Sequence, residues 1–420
     1  MNASPPRVSW PLVLALWLVG LSLTGATVGR ALGHVNDFSQ DYLAALALRE
    51  GRSLYVPFTD AEVRAATQTS RWPLDLSGFI LQDRPNYHPP ICAVLFLPFT
   101  LIPFDVAFVL WSLLNVGLAL CCTWLLLREL PDAFPTPWPR LFCTLPLLWL
   151  PFLDNYGEGQ WGIIVMTGLV GGWGLLHHGR PFLAGSAVAL AAMVKVFPAV
   201  FLLYFLVRRQ WWATVGFLMT VLVGASLVTW AAGTGQIREY LERVGPECEV
   251  RYGSSNYNLS LNGIYRRLAS DSLDPTTRKA GSMAVAGLGL GLAALWLSRF
   301  PATRVGEDRA YALMVMAMLL CSPITWQHSL VVLILPLAVL WSQNLDWRSR
   351  WWCLGNLVLY AVSVVHVMNP AIQRHHPQNP PFVETWPLLP FTFGLLALAG
   401  LLVWRPFHTS TPTNLSGVDL

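Results

Sequence analysis

Charge is scarce in this chain. Of 420 residues only 12% are Asp, Glu, Lys or Arg, against about 25% in a soluble domain. Hydrophobic residues make up 54%, and the mean hydropathy is +0.49. That balance excludes a soluble globular domain and indicates a protein that crosses a membrane repeatedly. Lysine is scarcer still, with only Lys195 and Lys279. The other basic residues are scattered rather than gathered into one patch with interleaved aromatics, which argues against nucleic-acid binding. Metal-type cysteine spacing is missing: there is no CxxC and no zinc pattern. Six of the seven cysteines lie in or beside apolar segments, and Cys248 falls in a long polar loop. No GxGxxG follows a strand and no P-loop is present, so no nucleotide site is expected.

What is abundant is apolar sequence. The runs place spanning helices near 10–31, 104–127, 138–153, 160–177, 181–194, 197–207, 211–232, 280–298, 309–322, 327–342, 351–368 and 385–404. The fold class is therefore all-α, a polytopic membrane protein of about twelve helices. The first run follows Arg7 but is long, lacks a clear cleavage site and precedes further spans, so it reads as a retained helix. The organisation expected is a transmembrane module over 1–232 with a first outer loop at 32–88, a second long outer loop at 233–279, a second module over 280–404 and a cytoplasmic tail at 405–420. Arginines such as Arg128, Arg180, Arg208, Arg304 and Arg350 sit in the short loops assigned to the inside, whereas the short outer connections 154–159, 195–198 and 322–327 have none, as the positive-inside rule requires.

Several runs are too short for the roughly 20 residues a full crossing needs. Residues 89–102 are proline-bounded and read as a half-helix. Segments 181–194 and 197–207 meet at Lys195–Pro198. A lysine at membrane depth costs about 2.5–3.5 kcal/mol on insertion scales and faces a partner or a wet cavity. Broken helices are tolerated where protein or such a cavity covers the loose backbone. Lys195 thus marks a cavity opening outward that suits an anionic group.

Other polar residues fall on the same side. Asp37 and Asp41 lie four apart just after the first span and share a face if the stretch is helical. Either carboxylate suits general-base work on a sugar hydroxyl; the same residues also suit a plain helix start, with Asp37 as N-cap. In DNYGEGQWG, residues 154–162, glycines flank Glu158 and Gln160 at a helix start, where N–H groups favour anions; a simple turn explains it equally well. In CSPITWQHSLV, residues 321–331, Trp326 and His328 follow a proline break. His328 suits a phosphate contact, and an interfacial Trp/His pair is the plainer alternative. NYNLSLNGIYRRL, residues 256–268, offers Asn258 with Arg266 and Arg267 as candidate phosphate or head-group contacts.

The ordered set resembles the bacterial polytopic glycosyltransferases of the GT-C superfamily that use polyprenyl-phosphate sugars, the family that includes phosphatidylinositol-mannoside α-1,2-mannosyltransferases. The matching stretches are Asp37-Phe38 with Tyr42 and Gly51-x-x-Leu54-Tyr55; Tyr87-x-Pro89-Pro90 with Pro98; Gly159-Gln160; Ala184-Gly185 through Lys195-x-x-Pro198; Asn258-x-Ser260-Leu261 with Arg266; and Ser322-Pro323-x-x-Trp326-x-His328. The resemblance implies a GT-C fold with short broken helices and an outer-loop catalytic site. It implies Asp37 as catalytic base with Asp41 second, Lys195 on the donor phosphate, and a role for His328. It further implies sugar transfer, mannose first and arabinofuranose in related enzymes, from a polyprenyl-phosphate donor to a lipid or glycan hydroxyl with inversion. The setting implied is the plasma membrane of a bacterium with the site facing out. A divalent metal is left open, since no dedicated ligand set stands out. The rival class is a transporter or flippase of lipid-linked sugars; the inverted repeat that would favour it is not evident between the two halves.

Overall fold

The computed structural model describes residues 10–34, 36–68, 86–130, 142–255, 257–269, 273–343, 347–360 and 389–404. Among these residues the chain is helical throughout, without a β-strand. Four helices are long and apolar enough to cross a membrane: Trp10–Ala31, Phe104–Glu129, Trp211–Ala232 and Thr276–Leu297. Phe104–Glu129 is the most enclosed, with 44% of its apolar window buried against 17–22% for the other three. The other three turn Leu, Val and Trp side chains such as Leu18, Trp230 and Leu288 outward, as lipid-facing helices do.

The helices between these are short because prolines and glycines cut them. Residues 90–101 form the expected half-helix, Pro90–Phe96 running into a 3₁₀ turn at Leu97–Leu101. The span expected near 138–153 is instead a one-turn helix at Leu145–Leu148 and a separate Leu150–Glu158 helix, each with proline in its first turn, where the missing N–H is harmless. Pro181–Val194 stops at Lys195, whose backbone is extended, and the chain resumes as a 3₁₀ turn at Phe197–Val200 and a helix at Phe201–Val207. Pro198 cannot donate to the Val194 carbonyl, which accepts from the Cys92 thiol instead at 3.5 Å. Pro323 marks the third break, between Arg304–Cys321 and the 3₁₀ turn Gln327–Leu333.

Small residues let these pieces approach closely. A Cβ on Gly185 would lie 1.8 Å from the Ala213 carbonyl oxygen, and one on Gly216 would lie 2.0 Å from that of Phe182. The Pro181–Val194 and Trp211–Ala232 helices therefore cross backbone to backbone, as small-residue interfaces in membranes allow.

The segment expected as a second long outer loop, 233–279, holds more structure than a loop. It holds Thr234–Glu239, a π-helical turn at Tyr240–Val244, Gly245–Tyr252 and Leu261–Leu268. Lys279 lies within the Pro275–Leu297 helix, not in a loop, and Cys248 lies on Gly245–Tyr252. Residues 69–85 of the first outer loop, 131–141, the later part of the span at 351–368, the tail and Arg7 fall outside the described residues.

The arginine-rich connections gather at one end. Arg208 donates to the carbonyls of Leu297 and Phe300, at 2.9 and 2.8 Å, and pairs with Glu307. Arg304 reaches the Glu129 carbonyl at 2.7 Å. At that same end His177 pairs with Asp308 at 2.6 Å. His177 closes the Gly162–His177 helix, and Gly162 opens it beside the polar residues of the candidate site, so the two polar clusters occupy opposite ends of the bundle.

Candidate functional site

The Asp37–Arg49 helix begins with a capping box: Asn36 accepts from the Ser39 N–H, and the Ser39 hydroxyl accepts from that of Asn36. The N-cap is therefore Asn36 and not Asp37, which occupies the first helical position with its carboxylate free to point elsewhere. Asn36 also donates to the Gly157 carbonyl at 3.2 Å. Phe38 is fully buried among the rings of Phe96, Phe104 and Phe108, at centroid distances of 5.2, 5.4 and 5.2 Å. Those anchors hold the helix start against the turn at 157–161.

That turn joins two helices, the plainer of the two readings: Glu158 ends one and Gly162 starts the next. Leu150–Glu158 stops at Gly159, which is left-handed at φ 64°. A Cβ there would fall 2.5 Å from that of Phe38, so both conformation and space require glycine. The Gly159 carbonyl accepts from the Trp111 indole at 2.8 Å. Turned to satisfy both its neighbours, the Asn155 amide donates to the Gln160 carbonyl at 3.0 Å and accepts from the Gly162 N–H at 3.2 Å. The next two residues then serve the two carboxylates. Gln160 donates to Asp37, and the Trp161 indole donates to Asp41 at 2.8 Å.

The two aspartates do share a face, yet their surroundings differ. Asp41 has no exposed surface, and the Nδ1 of His88 lies 3.0 Å from both its oxygens. With Trp161 also donating, Asp41 is an enclosed carboxyl group with its partners filled. Asp37 is half-buried and takes one bond each from Gln40, at 2.6 Å, and Gln160.

Lys195 and His328 meet beside them, Nζ to Nε2 at 3.4 Å. The His328 backbone packs on the turn that holds Asp37: a Cβ on Gly162 would fall 2.8 Å from the His328 carbonyl oxygen. The other ring nitrogen of His328 lies 3.7 Å from Asp154. Burial, with the Asp37 charge adding to it, pushes the carboxyls of Asp154 and Glu158 up to about 7 and about 8. Sequence reasoning singled out neither Asp154 nor His88, nor Trp161, although all three lie inside or beside motifs it quoted. No spacing rule marks them, because each acts on a residue from a distant segment.

The remaining expected residues surround this centre without joining it. Asn258 is fully buried and spends its amide on backbone: it donates to Gly253 and Pro323 at 2.9 and 2.8 Å, and accepts from Ser260 and Thr325 at 3.1 and 3.0 Å. It clamps the 322–328 break to the 233–279 segment. Arg266 pairs with Glu249 and donates to Ser282 at 3.0 Å. Trp326 is half-buried, with its ring near-parallel to that of His328, at 18° and 6.4 Å. Among the described residues no group of three or more His, Cys, Asp or Glu side chains could hold a metal ion.

The assembly has a carboxylate at a partly open position, a cation with an adjacent imidazole, and backbone breaks that admit polar groups at the helix ends. Such a constellation can accept a proton on one side and hold an anion on the other.

Comparison with known proteins agrees with that chemistry. Residues 86–323 match the family model for glycosyltransferase family 87. The chain is 30% identical to a protein of Mycobacterium tuberculosis named polyprenol-phosphate-mannose-dependent alpha-(1-2)-phosphatidylinositol mannoside mannosyltransferase, over 85% of this chain and 81% of that one. A protein of the same name from Mycolicibacterium smegmatis is 25% identical over 82% and 78% of the two chains. A pentamannoside mannosyltransferase from that organism is 28% identical over 60% and 59%.

Proposed function

The chain belongs to glycosyltransferase family 87, and from that premise we propose that it moves a mannosyl residue from a polyprenyl-phosphate donor to a hydroxyl of a lipid or glycan acceptor. That it is a membrane glycosyltransferase rests on the family and on its spanning helices; the sugar, donor and acceptor follow the printed names of its relatives. The fold is read as a GT-C arrangement of about twelve spans. The site opens on the outer face of a bacterial plasma membrane, the side opposite the arginine-rich end.

One observation carries the mechanism: the half-open Asp37 carboxylate is held by Gln160, in the turn whose Gly162 packs on the backbone of His328, the partner of Lys195. Asp37 takes the proton of the acceptor hydroxyl. The acceptor oxygen bonds to the anomeric carbon as the bond from that carbon to the phosphate oxygen breaks. The bonding electrons leave with the lipid phosphate, whose charge Lys195 stabilises, with His328 alongside. Displacement from the face opposite the phosphate inverts the anomeric centre, so no second carboxylate is needed as nucleophile. Asp41 holds the helix against Trp161 and His88. Asn258 positions the break that carries Trp326 and His328; Gln160 orients Asp37.

The test is release of polyprenyl phosphate by purified protein supplied with a panel of polyprenyl-phosphate sugars and a phosphatidylinositol mannoside acceptor. Release that depends on acceptor, with mannose preferred, is the expected result. Failure with every donor would overturn the assignment.

A further inference from the structure

The approach to the site carries a row of aromatic rings that the transfer mechanism leaves unused. Tyr87 meets Tyr252 edge-on at 5.5 Å, and Tyr252 meets Trp326 at 5.6 Å. Trp326 lies parallel to His328, and Tyr257 lies 6.1 Å from Trp326 at 26°. The rings come from three separate segments: the approach to the Pro90–Phe96 half-helix, the 233–279 segment, and the Pro323 break. Tyr87, Tyr252, Tyr257 and Trp326 are each half-buried. They form one surface and are not closed into the core as Phe38 and its neighbours are.

Polar groups border the outer end. The Tyr87 hydroxyl donates to Glu247 at 3.4 Å and also lies beside the Arg251 guanidinium. The inner end is His328, next to Lys195. Half-buried aromatic rings bordered by a carboxylate and a guanidinium suit a sugar ring. The C–H bonds of one pyranose face are slightly positive and meet the negative face of an aromatic ring, while its hydroxyls match the acid and the base. An acyl chain would have no use for the polar border.

We propose that Tyr252, Tyr257 and Trp326 form an acceptor platform on which the sugar ring of a glycosylated acceptor stacks before its hydroxyl reaches Asp37. The acceptor role rests on the transfer reading above; the sugar-binding claim stands on the rings and is tested without turnover.

The experiment is saturation-transfer NMR of methyl α-mannoside with the full-length protein in detergent and no donor present. Saturation should reach the sugar C–H protons, strongest along one face of the ring. Tyr252→Ala should weaken binding about tenfold, which is the loss of one ring contact of roughly 1.4 kcal/mol. Tyr252→Phe keeps the ring and should bind as the parent does. The proposal is overturned if the parent protein shows no saturation transfer, if Tyr252→Ala binds unchanged, or if Tyr252→Phe loses as much as Tyr252→Ala. A protein that binds the sugar through Tyr252 yet releases no polyprenyl phosphate from any donor would keep the platform and lose the transfer reading.

Discussion

Two carboxylates one helical turn apart carry opposite fates. Asp37→Asn removes the proposed base while leaving the Asn36 cap intact, so folding should survive and single-turnover transfer should fall by about 10²–10⁴-fold. Asp41→Asn acts elsewhere. It puts an amide opposite the His88 and buried Trp161 donors, a mismatch worth about 1–3 kcal/mol, and its first readout should be a lower melting temperature. If Asp37→Asn keeps normal turnover at matched protein levels, the base is not in this helix. Lys195→Met should weaken donor binding while the protein still folds, since the thioether is apolar and of similar length; unchanged donor affinity would leave the lysine a structural role. Spacing alone made Asp37 and Asp41 candidates but could not separate them. Their difference lies in what the folded chain brings to each: His88 and Trp161 close around one, and only amides touch the other.

At the scale of the element, the breaks were legible and their neighbours were not. Proline and short apolar length announced the half-helix at 89–102 and the interruption at Lys195–Pro198. The helical run at 234–252 escaped notice because its π turn at Tyr240–Val244 shifts the 3.6-residue period, and Leu261–Leu268 because eight residues carry little periodic signal. The run at 138–153 reads as one span only if Pro146 and Pro151 are ignored, and each opens its own short helix. The Leu150–Glu158 helix also carries a pH dependence. An acid whose folded pKa is raised binds more protons folded than unfolded, so stability declines as pH rises from the ordinary carboxylate range up to about 8. Melting temperatures in detergent across that window should fall with pH, and Glu158→Gln should flatten the slope. An equal slope in the variant would assign the dependence to another group. Where the Pro181–Val194 and Trp211–Ala232 helices cross, Gly185→Val should cost about 1–3 kcal/mol or more, visible as a lower melting temperature, because the obstacle is backbone and cannot rotate away.

For the whole molecule, arginine placement divides the chain into two ends, and Arg208 and Arg304 meet the chain at one of them. The prediction is one of sidedness. In a background with native cysteines replaced, the exposed Ser254→Cys should react with a membrane-impermeant thiol reagent from outside intact cells, and the exposed Ser298→Cys should react only after permeabilisation. Labelling of both from outside would invert or scramble the topology. What the sequence could not supply was the meeting of segments more than a hundred residues apart: residue 37 with 160, and 195 with 328. The order of motifs announced their membership in one site, and only the packing decides which of them touch.

The turn at Gly159 has a consequence for chain length. Successive residues, Gln160 and Trp161, grip carboxylates on successive turns of another helix, and left-handed glycine fixes where that pair begins. Inserting a single residue there would offer each aspartate the wrong partner and rotate the start of Gly162–His177 by about 100°. Loops on a protein surface usually absorb added residues, but this one works as a fixed ruler. Its length shapes the candidate site as firmly as any side chain.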